Sequence, residues 1–291
     1  MRRSWGLSLI TMGTILLIVA FFWFLWAGKD LIDYDDRPSV QTVSFKQNFS
    51  EVNNITIHGG LASSITIAVE TQTQITASIT GHPEAITAVR ESRNFIIGTP
   101  QNKISIPSCP WFKVCPPLSR LIGIEVIVPV DYTGNITIYG VAPKIKITSP
   151  RMTDNIKYIS INTADSDVEI INISSDVFVN TAKLSLSLHS IANRFSVNST
   201  SATVNFTPAD NVTAQLNISA GFAELFIHQM PVIGVSIEST GINTTVMEDD
   251  QERRYFASTL FEYGVDDSPH KLDILVNALY TILHIDKKMT P

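Results

Sequence analysis

From residue 43 onward the chain alternates apolar and polar residues with a period of two. Ile55/Ile57, Ile65/Ile67/Val69 and Ile75/Ala77/Ile79 open the series, separated mainly by Thr and Ser. It continues through Ile104/Ile106, Ile124/Val126/Val128, Ile136/Ile138, Ile145/Ile147, Ile159/Ile161, Val168/Ile170 and Val177/Val179. Leu184/Leu186/Leu188, Phe195/Val197, Val204/Phe206, Leu216/Ile218, Leu225/Ile227, Val235/Ile237, Ile274/Val276 and Leu283/Ile285 complete it. Successive side chains of a strand point to opposite faces, so this pattern predicts strands with one buried and one exposed face.

Strand centres recur about every 9–10 residues between positions 126 and 246, with short turns of Asn, Asp, Gly, Ser and Pro between them. Units this short cannot each bury an apolar face alone. Stacking them buries a continuous core, which predicts an all-β β-solenoid over residues 43–291, with a β-sandwich as the alternative. Helix signals are few; the best is Pro83–Ser92, where Pro83 suits a first helical position. Residues 248–267 break the rhythm with Glu248-Asp249-Asp250-Gln251-Glu252-Arg253-Arg254. They read as a polar loop followed by a strand that covers the end of the stack.

One segment departs from the pattern altogether. Residues 5–27 form a 23-residue run without charge, from Trp5 to Ala27. A helix of that length spans about 34 Å, enough to cross a bilayer core. Arg2 and Arg3 precede it and Asp30, Asp33, Asp35 and Asp36 follow, which places residues 1–4 in the cytoplasm and the rest outside. A cleaved signal peptide is the competing reading, but the run is long and ends in bulky Phe24-Leu25-Trp26-Ala27-Gly28. The expectation is therefore a retained single-pass signal anchor in the cell membrane, contacting lipid through residues 5–27. Residues 28–42 read as a polar linker; their acids lack the spacing of a calcium loop.

The stretch Ile124-Glu125-Val126-Ile127-Val128-Pro129, then Asn135-Ile136-Thr137-Ile138-Tyr139-Gly140, resembles the opening of the bacterial putative-adhesin domain family. Asp167-Val168-Glu169-Ile170 and Ala223-Glu224-Leu225-Phe226-Ile227 resemble its later rungs, and the likeness covers roughly residues 50–285. The resemblance implies a membrane-anchored envelope protein with a β-solenoid-like domain of unknown function and no catalytic residues. Many rungs here carry Asn, Ser or Asp where that family has Gly.

Composition narrows the chemistry. The net charge of −6 argues against nucleic acid, which needs clustered Lys and Arg. Charged residues are only 16% of the chain, and Ser, Thr and Asn fill the polar positions. The two cysteines, Cys109 and Cys115, lie close together in an outward-facing segment, which predicts a disulfide, with two free thiols as the alternative. That loop carries Trp111, Phe112 and Val114 between prolines. A stiff aromatic loop of this kind is a candidate partner-binding site, or else a lid on the nearest strands.

No hydrolase, metalloprotease, phosphate-loop or dinucleotide motif occurs, and the six histidines are scattered. No cofactor or metal is expected. Asp165, Asp167 and Glu169 share one strand face, which could serve a polysaccharide-active enzyme or, more simply, be a solvated face. Nine Asn-x-Ser/Thr sequons, at Asn48, Asn54, Asn135, Asn172, Asn198, Asn205, Asn211, Asn217 and Asn243, follow from the abundance of these residues in alternating strands; the bacterial resemblance implies that they are unmodified.

The sequence thus points to a non-enzymatic, adhesin-like or protein-interaction module in the cell envelope, with an envelope protein or a surface glycan as partner. A regulatory partner in an envelope-stress or membrane-signalling system, packing through Gly6 and Gly13, is the alternative. The polysaccharide-active enzyme is a third.

Overall fold

Inward-facing Ile, Val and Leu at every second position dictate the architecture. The computed structural model describes residues 40–98, 121–151, 155–191, 193–208, 213–228, 234–248, 251–256, 258–263 and 271–286. They form one all-β unit in which nineteen strands join a single hydrogen-bonded sheet. Every alternating apolar residue of the sequence series is buried, apart from Ile104 and Ile106, which lie outside the described residues.

The sheet folds into two ladders. The first begins with β5 (Ala88–Glu91) and β6 (Asn94–Ile97), then passes through β2 (Asn54–Gly60), β8 (Asn135–Gly140) and β10 (Tyr158–Thr163). It continues through the first halves of four long strands, β12 (Asp176–His189), β13 (Asn193–Thr207), β14 (Ala214–Ile227) and β19 (Lys271–Ile285). It closes with β15 (Gly234–Thr240) and β18 (Thr259–Tyr263).

The second ladder runs from β1 (Gln41–Asn48) through β4 (Gln74–Gly81), β7 (Leu121–Pro129), β3 (Ser64–Glu70), β9 (Lys144–Thr148) and β11 (Asp165–Ile171). The second halves of the same long strands follow. β16 (Asn243–Glu248) and β17 (Gln251–Phe256) end it. Pairing is parallel throughout the middle and antiparallel only near the ends, at β1–β4, β4–β7, β5–β6, β15–β18 and β16–β17.

Parallel register stacks like on like. Val177, Phe195, Leu216, Ile274 and Ile237 form one inward row, and Leu186, Val204, Leu225, Leu283 and Val246 another. Each such side chain contributes about 1.5–3 kcal/mol on burial. The bends between ladders are where the alternation slips. In β12, Ala182 and Lys183 are both exposed, so Thr181 and Leu184 both face inward. Hydroxyls satisfy the turned backbone there: Thr181 donates to the Lys183 carbonyl at 3.0 Å and Ser199 to the Ser201 carbonyl at 2.7 Å. Ser239 and Thr244, both fully buried, bond each other at 2.8 Å across the last bend. Gly241 is required beside them, because a Cβ there would lie 1.8 Å from the Ala278 carbonyl oxygen.

Two local expectations are corrected. Pro83–Ser92 is not a helix: only Pro83–Ala85 make a single tight turn, and Ala88–Glu91 pair with Asn94–Ile97 as a hairpin. The polar stretch after Glu248 is not simply a loop either. Gln251–Phe256 is a strand antiparallel to β16. Its four leading residues are exposed and charged or polar, which blunts an edge against further pairing.

The chain order leaves the stacking order at both ends: β5 and β6 lie outside β2, and β4 and β7 outside β3. After β14 the chain lays down β15 and β16, turns through β17 and β18, and returns to insert β19 between β14 and the β15/β16 pair. Among the described residues no helix is long and apolar enough to cross a membrane. Residues 5–27 lie outside them.

Candidate functional site

The outward side of the first ladder carries three aligned rows of side chains. One runs Asn94, Asn54, Asn135, Tyr158, Asp176, Arg194 and Gln215. The next runs Thr56, Thr137, Ser160, Phe178, Ser196 and Asn217. The third runs His58, Tyr139, Asn162, Asn180, Asn198 and Ser219. Neighbours in a row are one strand spacing apart, about 4.8 Å.

The first two rows border an open polar trough of about 550 Å³, lined by Asn94, Asn54, Asn135, Thr56, Thr137 and Tyr158 together with Lys157 and Asp176. Its amides are held in place. Asn135 Nδ2 donates to Asn54 Oδ1 at 3.0 Å, and Thr56 Oγ1 donates to Asn94 Oδ1 at 3.1 Å. Asn94 Nδ2, Asn54 Nδ2 and Asn135 Oδ1 have no partner among the described residues. Beside the trough the His58 and Tyr139 rings stack with centroids 5.2 Å apart. Burial lowers the pKa of His58, which favours its neutral form. Tyr139 and Tyr158 are 38% and 37% exposed.

The second ladder's outward side is built differently. Asp165, Asp167 and Glu169 do share one face, as expected, but each has a lysine alongside: Lys183, Lys144 and Lys146. Lys146 and Glu169 form an ion pair at 2.7 Å. Farther along, Glu224 and His284 meet at 3.1 Å, and His284 stacks on Phe226 with ring centroids 4.1 Å apart. Toward the last strands, Phe256 and Tyr280 are each more than half exposed, as are Ile242 and Leu279 near the bend.

Cys109, Cys115, Trp111, Phe112 and Val114 lie outside the described residues. Among the described residues no group of three His, Cys, Asp or Glu side chains could hold a metal ion. The trough has a signal in the sequence. Asn54-Ile55-Thr56-Ile57 and Asn135-Ile136-Thr137-Ile138 are the same tetrapeptide, and the fold stacks them residue on residue.

No protein-family model matches the chain, and no curated protein is similar to it in sequence. Among solved structures the chain is similar to a "putative cell adhesion protein" from Clostridium sporogenes, with 10% identity over 86% of this chain and 100% of that one and a TM-score of 0.41. It is also similar to a "putative adhesin" from Bacteroides fragilis, with 11% identity, 85% and 98% coverage and a TM-score of 0.37. A "putative lipid binding protein" from Parabacteroides distasonis follows, with 12% identity, 84% and 97% coverage and a TM-score of 0.34.

Proposed function

We propose that this chain is a non-enzymatic, adhesin-like interaction module, anchored in the cell membrane by residues 5–27, with its β-domain wound as a β-solenoid outside the cell membrane. The observation that carries the reading is the first outward face: three ordered rows of amides, hydroxyls and half-exposed rings on a rigid parallel ladder. Such a face keeps hydrogen-bonding capacity that the fold does not consume. The solenoid reading is supported by the shared register of the long strands, each of which gives one half to each ladder. The charge asymmetry around the apolar run supports the orientation.

A catalytic role for Asp165, Asp167 and Glu169 is disfavoured by the lysine beside each of them. General acid/base pairs need environments that separate two carboxyls in acidity. A row of acids alternating with lysines is the arrangement of a solvated strand face.

The test is capture of partners from crosslinked native membranes with the full-length chain and with a version whose 5–27 segment is replaced by an unrelated membrane helix. Capture by both forms locates function in the β-domain. Capture only by the native helix would sink the adhesin-like reading in favour of a regulatory membrane partner.

A further inference from the structure

We propose that the trough at Asn54, Asn135 and Tyr158 binds a neutral, repeating polysaccharide laid across the strands. This rests on the reading of the first outward face as the interaction surface and gives that surface a ligand class.

The first argument is chemical. A side-chain amide donates and accepts at once, which suits the adjacent hydroxyls of a sugar ring. Asn54 and Asn135 each spend one amide atom on the other. That bond fixes both planes and leaves the opposite atom of each for a ligand. Thr137 adds a hydroxyl from the next row.

The second is the aromatic content. A pyranose has an apolar C–H face, and an exposed ring is the natural platform for it. Tyr158 is the one aromatic residue among the described residues that line the trough, and it is 37% exposed. Protein-binding surfaces instead gather aromatic and apolar anchors into a desolvated centre. The trough lacks such a centre.

The third is periodicity. Parallel register repeats the outward side chain every strand, about 4.8 Å, close to the length of one sugar residue in a chain. Asn162, Asn180 and Asn198 continue the amide repeat in the third row. A repeating polymer can meet a repeating face with the same contact several times over, and weak contacts then add through multivalency.

The fourth is charge. Among the described residues the trough's only charged side chains are Lys157 and Asp176, of opposite sign. An anionic polymer would find no basic row here.

The experiment uses the full-length chain in lipid nanodiscs and immobilised cellohexaose, maltohexaose, laminarihexaose and chitohexaose, with heparin and polygalacturonate as charged probes. The expected result is retention by at least one neutral oligomer. Tyr158→Ala and Asn135→Ala should each weaken it tenfold or more, Tyr158→Phe should keep it, and Lys146→Ala should not change it. Thermal unfolding of each variant confirms the fold. Retention of the charged probes alone, retention indifferent to Tyr158 and Asn135, or no retention at all would overturn the glycan assignment. In those cases a photo-crosslinker at Thr137 that still captures a protein leaves the interaction-module reading standing. Failure of both removes the two together.

Discussion

The two outward faces of this protein sit on one shared interior and spend their polar groups in opposite ways. On the second face, polar groups answer one another: Lys146 is paired with Glu169, Lys144 lies beside Asp167, Lys183 beside Asp165, and Glu224 is hydrogen-bonded to His284. On the first face the rows are mostly uncharged, and the amides use only part of their capacity. A face whose groups are mutually engaged serves solubility and register. A face with ordered but unspent donors and acceptors is available to a partner. The acids that drew attention in the sequence lie on the engaged face.

The sharpest way to break this comparison is to cut the interior that both faces share. Ile161→Ala, under the first ladder, and Leu186→Ala, under the second, each empty a fully buried site. Each should cost about 2–5 kcal/mol in denaturant unfolding. Similar losses in a single transition are expected. Two separate transitions would mean that the faces belong to independent units.

The bend between ladders comes next. Ser239 is the next-to-last residue of β15 and Thr244 lies in β16, so their buried bond ties one ladder to the other. Ser239→Ala leaves the Thr244 hydroxyl buried without that partner and should cost about 1–3 kcal/mol. An effect near zero would show that the bend does not couple the two sides.

On the engaged face, Lys146→Ala removes an ion pair whose side chains are 49% and 39% exposed. The loss should be at most about 1 kcal/mol, shrinking as salt is added. A larger, salt-independent loss would contradict the view of this face as a solvated one.

The smallest expected effect is a pH dependence on the first face. The folded state holds His58 below its ordinary value of 6.5 through burial. As pH falls below that value the unfolded chain takes up a proton more readily than the folded one, so stability declines on acidification and recovers as pH rises. His58→Gln should flatten that part of the stability–pH curve. An unchanged curve would show that His58 is not the group responsible.

The sequence carried most of the strand positions, because burial of Ile, Val and Leu at alternate positions is a local signal; it missed Ala88–Glu91, Asn94–Ile97 and Gln251–Phe256. It did not carry partner choice. Nothing in Lys271–Ile285 says that this strand lies between β14 and β15, since any parallel neighbour with the same alternation would satisfy its inward side chains. Ala88–Glu91 misled for a related reason: Pro83 does open a helical turn, but pairing with Asn94–Ile97 captures the residues that follow. The trough was half legible. The repeated Asn-Ile-Thr-Ile at 54 and 135 was visible, yet the two copies are 81 residues apart and only the register brings them together. The acid row was legible as a row, but its lysines come from other strands and could not be placed beside it.

The most direct test of the account is site-specific photo-crosslinking of the full-length protein in intact cells. One crosslinker replaces Thr137 on the first face and another replaces Ser185 on the second. A discrete adduct from position 137 and none from 185 is expected. An adduct from 185 alone would place the working surface on the side this account assigns to self-satisfied charges, and would contradict it.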